Sequence, residues 1–130
     1  MSDRRREPRV HEEAAITVKV QSAPQARNLE GKMLQANLTD VSLGGIQMRV
    51  DTEIPIGSLL ELEVVFHDSP RKYKHMGNVV WKIFKTYDGV KQKAWHNIGI
   101  AFMPLANPQL DTWILKVANL LERYEIGDRA

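Results

Sequence analysis

The chain has 130 residues, of which 43% are hydrophobic and 26% charged, with a formal net charge of +2 and no cysteine. That length suits one domain with a core that stands without staples, the composition is globular rather than disordered, and the lack of cysteine removes disulfides, thiolate nucleophiles and cysteine zinc sites. No apolar run approaches the ~20 residues of a membrane span, and Met1-Ser2-Asp3-Arg4 does not open a secretory signal, so the expected location is the cytoplasm.

Residues 1–13 read as a flexible arm. Within its first nine residues Arg4, Arg5, Arg6 and Arg9 stand against only Asp3 and Glu7, and Pro8 discourages a helix just before it. The whole chain is too near neutrality to call for a nucleic-acid partner, but this local concentration of positive charge suits an anionic ligand. From Ala14 the apolar residues Ala14, Ile16, Val18 and Val20 alternate with polar ones, the period of a half-buried strand. Residues 21–32, with Pro24, Asn28 and Gly31, form a loop.

Leu34, Ala36 and Leu38 then share one face of a second strand, and Ile46, Met48 and Val50 one face of a third. Between them lies Asp40-Val41-Ser42-Leu43-Gly44-Gly45, a tight hairpin in which glycine would supply a positive φ. Asp40 and Ser42 either cap that hairpin through local backbone bonds or serve a planar polar ligand, for which the turn offers carboxylate, hydroxyl and open backbone together. After a turn at Ile54-Pro55-Ile56-Gly57, Leu60, Leu62, Val64 and Phe66 alternate with Glu61 and Glu63 in the clearest strand of the sequence. A long segment from Lys72 to Phe84 carries Val79, Trp81 and Ile83, Asp88-Gly89 signals a second hairpin turn, and a last strand runs from Trp95 to Met103.

The period then changes. Leu110, Trp113, Ile114, Val117, Leu120, Leu121 and Tyr124 recur at helical intervals, which predicts a helix over about 107–126 with Asn107 as N-cap, Pro108 in the first turn and Gly127 as its stop. The expected fold is mainly β, a six-stranded antiparallel barrel that hides its edges, with a C-terminal α-helix packed on it by its apolar stripe. His11, His67, His75 and His96 are too scattered for a metal motif, so neither metal nor cofactor is expected.

Arg5-Arg6-Glu7-Pro8-Arg9 is an RxxxR pattern just before the first strand, and Asp40-Val41-Ser42-Leu43-Gly44-Gly45 is DxSxxG at the hairpin. Together with Gly77-Asn78-Val79-Val80-Trp81, Ile98-Gly99-Ile100-Ala101-Phe102 and the terminal helix, the pair resembles the PilZ domain family over essentially the whole chain. The resemblance implies a split β-barrel over residues 14–130 that binds cyclic di-GMP, with the arm of residues 1–13 folding over the ligand. Arg5 and Arg9 would then pair phosphate and the guanine O6/N7 edge, Asp40 would accept from guanine N–H groups, and Ser42 would add a hydroxyl. Gly45 would keep the surface open to a base. Arg4 and Arg6 would stack on a base or meet a phosphate, and Trp81 would either line the ligand surface or join the core.

The chain is therefore expected to act as a receptor or adaptor that changes arm conformation on binding and signals to a downstream protein, not as an enzyme. A PilZ-like interaction module without nucleotide is the alternative. Single-stranded nucleic-acid binding is disfavoured by an aromatic content of only 7% and by Asp40 at the presumed site. Catalysis is disfavoured because Asp40 and Ser42 share a turn with no adjacent histidine.

Overall fold

The computed structural model describes residues 13–86, 94–103 and 110–129. Six strands follow in chain order: β1 (Ala14–Ser22), β2 (Met33–Val41), β3 (Gly45–Val50), β4 (Leu59–Phe66), β5 (Lys72–Thr86) and β6 (Ala94–Phe102), then α1 (Leu110–Arg129). All neighbours are antiparallel, and the order β1-β2-β3-β6-β5-β4 closes through pairing of β1 with β4. The six-stranded barrel and its C-terminal helix are thus those expected.

Alternation decides what lies inside. Ile16, Val18 and Val20 of β1, Met48 and Val50 of β3, and Leu60, Leu62, Val64 and Phe66 of β4 are buried in a common core, while their sequence neighbours face out. At one mouth the core is closed by α1. Trp113 packs against Phe66, Tyr73, His75 and Phe102, and Val117 and Leu120 continue the buried stripe one and two turns further on. The imidazole of His75 stacks on Phe102 with ring centroids 3.9 Å apart. Burial pushes its pKa down from 6.5 to about 4, because the charged ring would lose its water. Lys116 fastens the helix from its flank, 2.9 Å from Asp68 and 5.0 Å over the Phe66 ring.

Three details depart from the sequence reading. The helical stripe is narrower, since Ile114 is 42% exposed and the buried set is Trp113, Val117 and Leu120. The helix continues through Gly127 to Arg129; a glycine inside a helix weakens it without ending it. Among the described residues the positive φ values belong to Gly31 and Gly57 in the loops, not to the glycines of the Ser42–Gly45 hairpin. The expected turn at Asp88-Gly89 and the helix-start residues Asn107 and Pro108 lie outside the described residues.

Candidate functional site

Two interruptions of strand register build the site. Along β2, Leu38 pairs with Met48 but Asp40 pairs with Gln47, so Thr39 is an extra residue. Along β5, Val79 pairs with Ile100 but Trp81 with Gly99, so Val80 is extra there. Strict alternation from Leu38 and from Val79, both buried, would direct Asp40 and Trp81 into the core. A bulge shifts that phase and turns the following side chain to the outer face. Strands β3 and β6 lie between the two bulged strands, and the two redirected side chains face one recess across them.

They line a recess of about 150 Å³ with Ser42, Gly45, Gln47 and Gly99. The floor is shaped by two glycines. A Cβ on Gly99 would collide with the Trp81 indole, and one on Gly45 with the backbone carbonyl of Ile100. Gly99 therefore lets the indole lie down on β6, and Gly45 lets β3 approach β6. Gly45 lines the recess and is at the same time buried against Ile100, so its lack of a side chain also serves this inter-strand contact.

The hairpin itself is tied from two sides. The backbone N–H of Ser42 donates to the Gly45 carbonyl at 3.0 Å, and its hydroxyl donates to the same oxygen at 3.3 Å. Phe102 N–H donates to the Gly44 carbonyl at 2.9 Å, which joins the turn to β6. Ser42 thus makes the local backbone bond that its residue type suggested, while its hydroxyl oxygen keeps lone pairs for an incoming donor. Thr39, the bulged residue, donates its hydroxyl to Gln47 O at 3.1 Å and so holds the shifted register.

A second recess, about 1020 Å³, opens at the start of β1. Ala15, Asn37, Thr39, Arg49 and His67 line it, and the Nδ1 of His67 lies 3.3 Å from Glu13 O. Arg49 stands here with its guanidinium 5.5 Å over the Trp95 ring. Its signal was one of register, for it pairs with Asn37 across β2 and β3. The structure thus brings Asp40, Ser42, Gly45 and Trp81 together; Arg4, Arg5, Arg6 and Arg9 lie outside the described residues. Among the described residues no cluster of three or more acidic or histidine side chains is arranged to hold a metal, and no helix is long and apolar enough to cross a membrane.

The sequence profile of the PilZ domain matches residues 3–117, and the chain belongs to that family. Among solved structures, the PilZ domain of YcgR from Escherichia coli with c-di-GMP is similar with a TM-score of 0.69 at 16% identity, over 98% of this chain and 100% of that one. The MrkH–c-di-GMP complex of K. pneumonia gives a TM-score of 0.69 at 16% identity, over 99% of this chain and 56% of that one. The Bacillus subtilis inhibitor of motility, MotI, gives 0.59 at 11% identity, over 91% and 51%. The chain spans about half the length of the MrkH and MotI chains, and at these identities the likeness is one of fold. No curated protein sequence matches the chain.

Proposed function

We propose that this protein is a cyclic di-GMP receptor in which the recess between the two bulges seats one guanine and the arginine arm closes over the rest of the ligand. The observation that carries this reading is the convergence of Asp40, Ser42 and Trp81 on one recess from strands distant in sequence. A carboxylate is the natural acceptor for guanine N1–H and N2–H, and an indole offers a face on which a base can stack. The recess is well below the roughly 300 to 1,000 Å³ of a pocket that encloses a whole ligand, so it suits one ring system and leaves the phosphates to groups brought from elsewhere.

Residues 1–13 supply those groups. Arg5 and Arg9 pair phosphate and the O6/N7 edge in bidentate fashion, and Arg4 and Arg6 beside them stack on a base or meet a second phosphate. The wider recess at the start of β1 is lined as far as Thr39, the residue before Asp40 in β2, so the arm can run along the barrel wall toward the first recess. Binding orders the arm, creates a new surface and changes the activity of a downstream protein. The role is that of a receptor rather than an enzyme, acting in the cytoplasm where the messenger is found. YcgR and MrkH, the similar proteins seen with c-di-GMP, support the choice of ligand.

Isothermal titration of the full chain with cyclic di-GMP, with GTP as control ligand, tests the proposal. The wild type is expected to give saturable heat with cyclic di-GMP alone. Arg5→Ala and Arg9→Ala are each expected to weaken binding by about 1.5 to 3 kcal/mol, tenfold or more in affinity. Absence of heat in the wild type, or unchanged isotherms in both arginine variants, would overturn it in favour of a module that binds protein without nucleotide.

A further inference from the structure

Among the described residues, closure of the barrel does not cover every strand edge. Strand β4 begins at Leu59, which pairs with Asn78, and the turn before it bonds Val79: Val79 N–H donates to Ser58 O at 3.0 Å and Gly57 N–H donates to Val79 O at 2.8 Å. Strand β5 continues to Thr86, and among the described residues its ladder partner from Trp81 onward is β6 alone.

The direction of the free backbone groups follows from β6. Phe102 N–H donates toward the β3 side, to Gly44, while Met103 N–H donates toward the β5 side, to Met76. Backbone groups alternate sides along a strand, so Asn97 and Gly99 turn toward β5, and their partners Trp81 and Ile83 use their own groups on β6. Lys82 and Phe84 then direct N–H and C=O away from the barrel. Side chains at this edge are unusually apolar, with Ile83 50% and Phe84 58% exposed on opposite faces of the strand. An exposed strand edge of this kind is a template for a further strand.

We infer that the β5 edge over residues 81–86 is a docking site for an extended acidic segment of a partner protein, which adds to the sheet as a seventh strand. The sequence Trp81-Lys82-Ile83-Phe84-Lys85-Thr86 holds two lysines and no acid, so charge complementarity selects the occupant. A carboxylate already visits the edge from within the molecule, as Glu53 lies 3.7 Å from Lys82 with its own side chain 65% exposed. An ion pair so open is worth little and yields readily to a better-placed acid. A second copy of this chain is a poor occupant, since its own edge segment carries lysines and no acid to meet Lys82. Main-chain bonds to Lys82 and Phe84 supply affinity, and alternate apolar residues of the incoming strand meet Ile83 or Phe84. This inference is independent of the nucleotide reading.

The probe is a synthetic peptide of alternating glutamate and valine, titrated without nucleotide into the isotopically labelled full chain. Saturable amide shifts confined to residues 80–86 and their β6 partners, with slowed hydrogen exchange at Lys82 and Phe84, are expected. The same peptide N-methylated at alternate residues is expected to bind about tenfold or more weakly. Lys82→Glu is expected to lose the glutamate peptide and to accept a lysine–valine peptide instead, a gain that a misfolded variant does not show. Shifts elsewhere on the barrel, equal binding of the N-methylated peptide, self-association of the free chain through this edge, or preferential binding of a DNA oligonucleotide there would each overturn the inference.

Discussion

The mouth of the barrel under α1 and the wall between the two bulges use the same residue types in opposite ways. At the mouth, Trp113 is fully buried among Phe66, Tyr73, His75 and Phe102. On the wall, Trp81 lies half-exposed on a glycine and shares a recess with a carboxylate and a hydroxyl. The first arrangement comes from regular alternation meeting a helical stripe, and it yields stability. The second comes from interruptions of alternation, and it leaves polar and aromatic groups available to a ligand. At these two places, regularity marks what holds the fold and irregularity marks what the fold presents.

Substitutions that affect one region and spare the other sharpen that contrast, and the largest effect belongs to the mouth. Trp113→Ala is expected to destabilise the chain by about 3 to 5 kcal/mol in urea unfolding, because the indole fills the junction of four aromatic rings and no flexible neighbour can collapse into its place. Ligand affinity of the fraction that stays folded should be unchanged. A variant that unfolds no more readily than wild type would mean that α1 is not part of the core.

The next effect separates the regions by pH. His75 is held neutral in the fold with its pKa near 4, against 6.5 in the unfolded chain, so unfolding takes up a proton when the pH lies between those values. Its contribution is complete above about pH 6.5 and is lost as the pH falls toward 4, roughly 2 to 3 kcal/mol between pH 7 and 4.5. His75→Phe preserves the stack on Phe102 and should remove this part of the slope, as read from urea midpoints at the two pH values. Equal slopes in the two proteins would show that the imidazole is not desolvated under the helix.

On the wall the effect moves from stability to binding. Asp40→Ala is expected to weaken cyclic di-GMP by about 1.5 to 3 kcal/mol, since a charge-assisted acceptor is lost, while unfolding shifts by no more than about 0.5 kcal/mol. A stability loss equal to the affinity loss would make Asp40 a structural residue and dissolve the contrast between the two regions.

How much of this was legible in the sequence follows from the same distinction. Every strand showed itself by period two and the helix by its stripe, because burial on one face imposes those periods. The motif residues Asp40, Ser42 and Gly45 were visible as a polar turn, and Trp81 as an aromatic without a settled side. What alternation hid was the pair of bulges. No residue type at Thr39 or Val80 announces one, and each depends on pairing with a strand remote in sequence. The same blindness concealed the free edge of β5, since only the late start of β4 at Leu59 exposes it. Arg49 escaped notice because its place beside the large recess is set by its partner across β2 and β3 rather than by its neighbours.

The smallest effect tests the one residue that belongs to both descriptions. The hydroxyl of Ser42 donates at 3.3 Å to a carbonyl that already accepts the backbone N–H of the same residue at 3.0 Å. A long second bond to an occupied acceptor contributes little, so Ser42→Ala should lower stability by only about 0.5 to 1 kcal/mol. If clasping the hairpin is all that the hydroxyl does, affinity for cyclic di-GMP should change by no more than that. If it also accepts a hydrogen bond from the base, the affinity loss should exceed the stability loss, because the bound guanine donor is then left without a partner. Ser42→Thr keeps the hydroxyl and adds a methyl group in a buried position, so it separates the two roles from the opposite side. Recovery of affinity with stability still reduced is the outcome expected of a hydroxyl that serves the ligand, and parallel loss of both is that of a clasp alone.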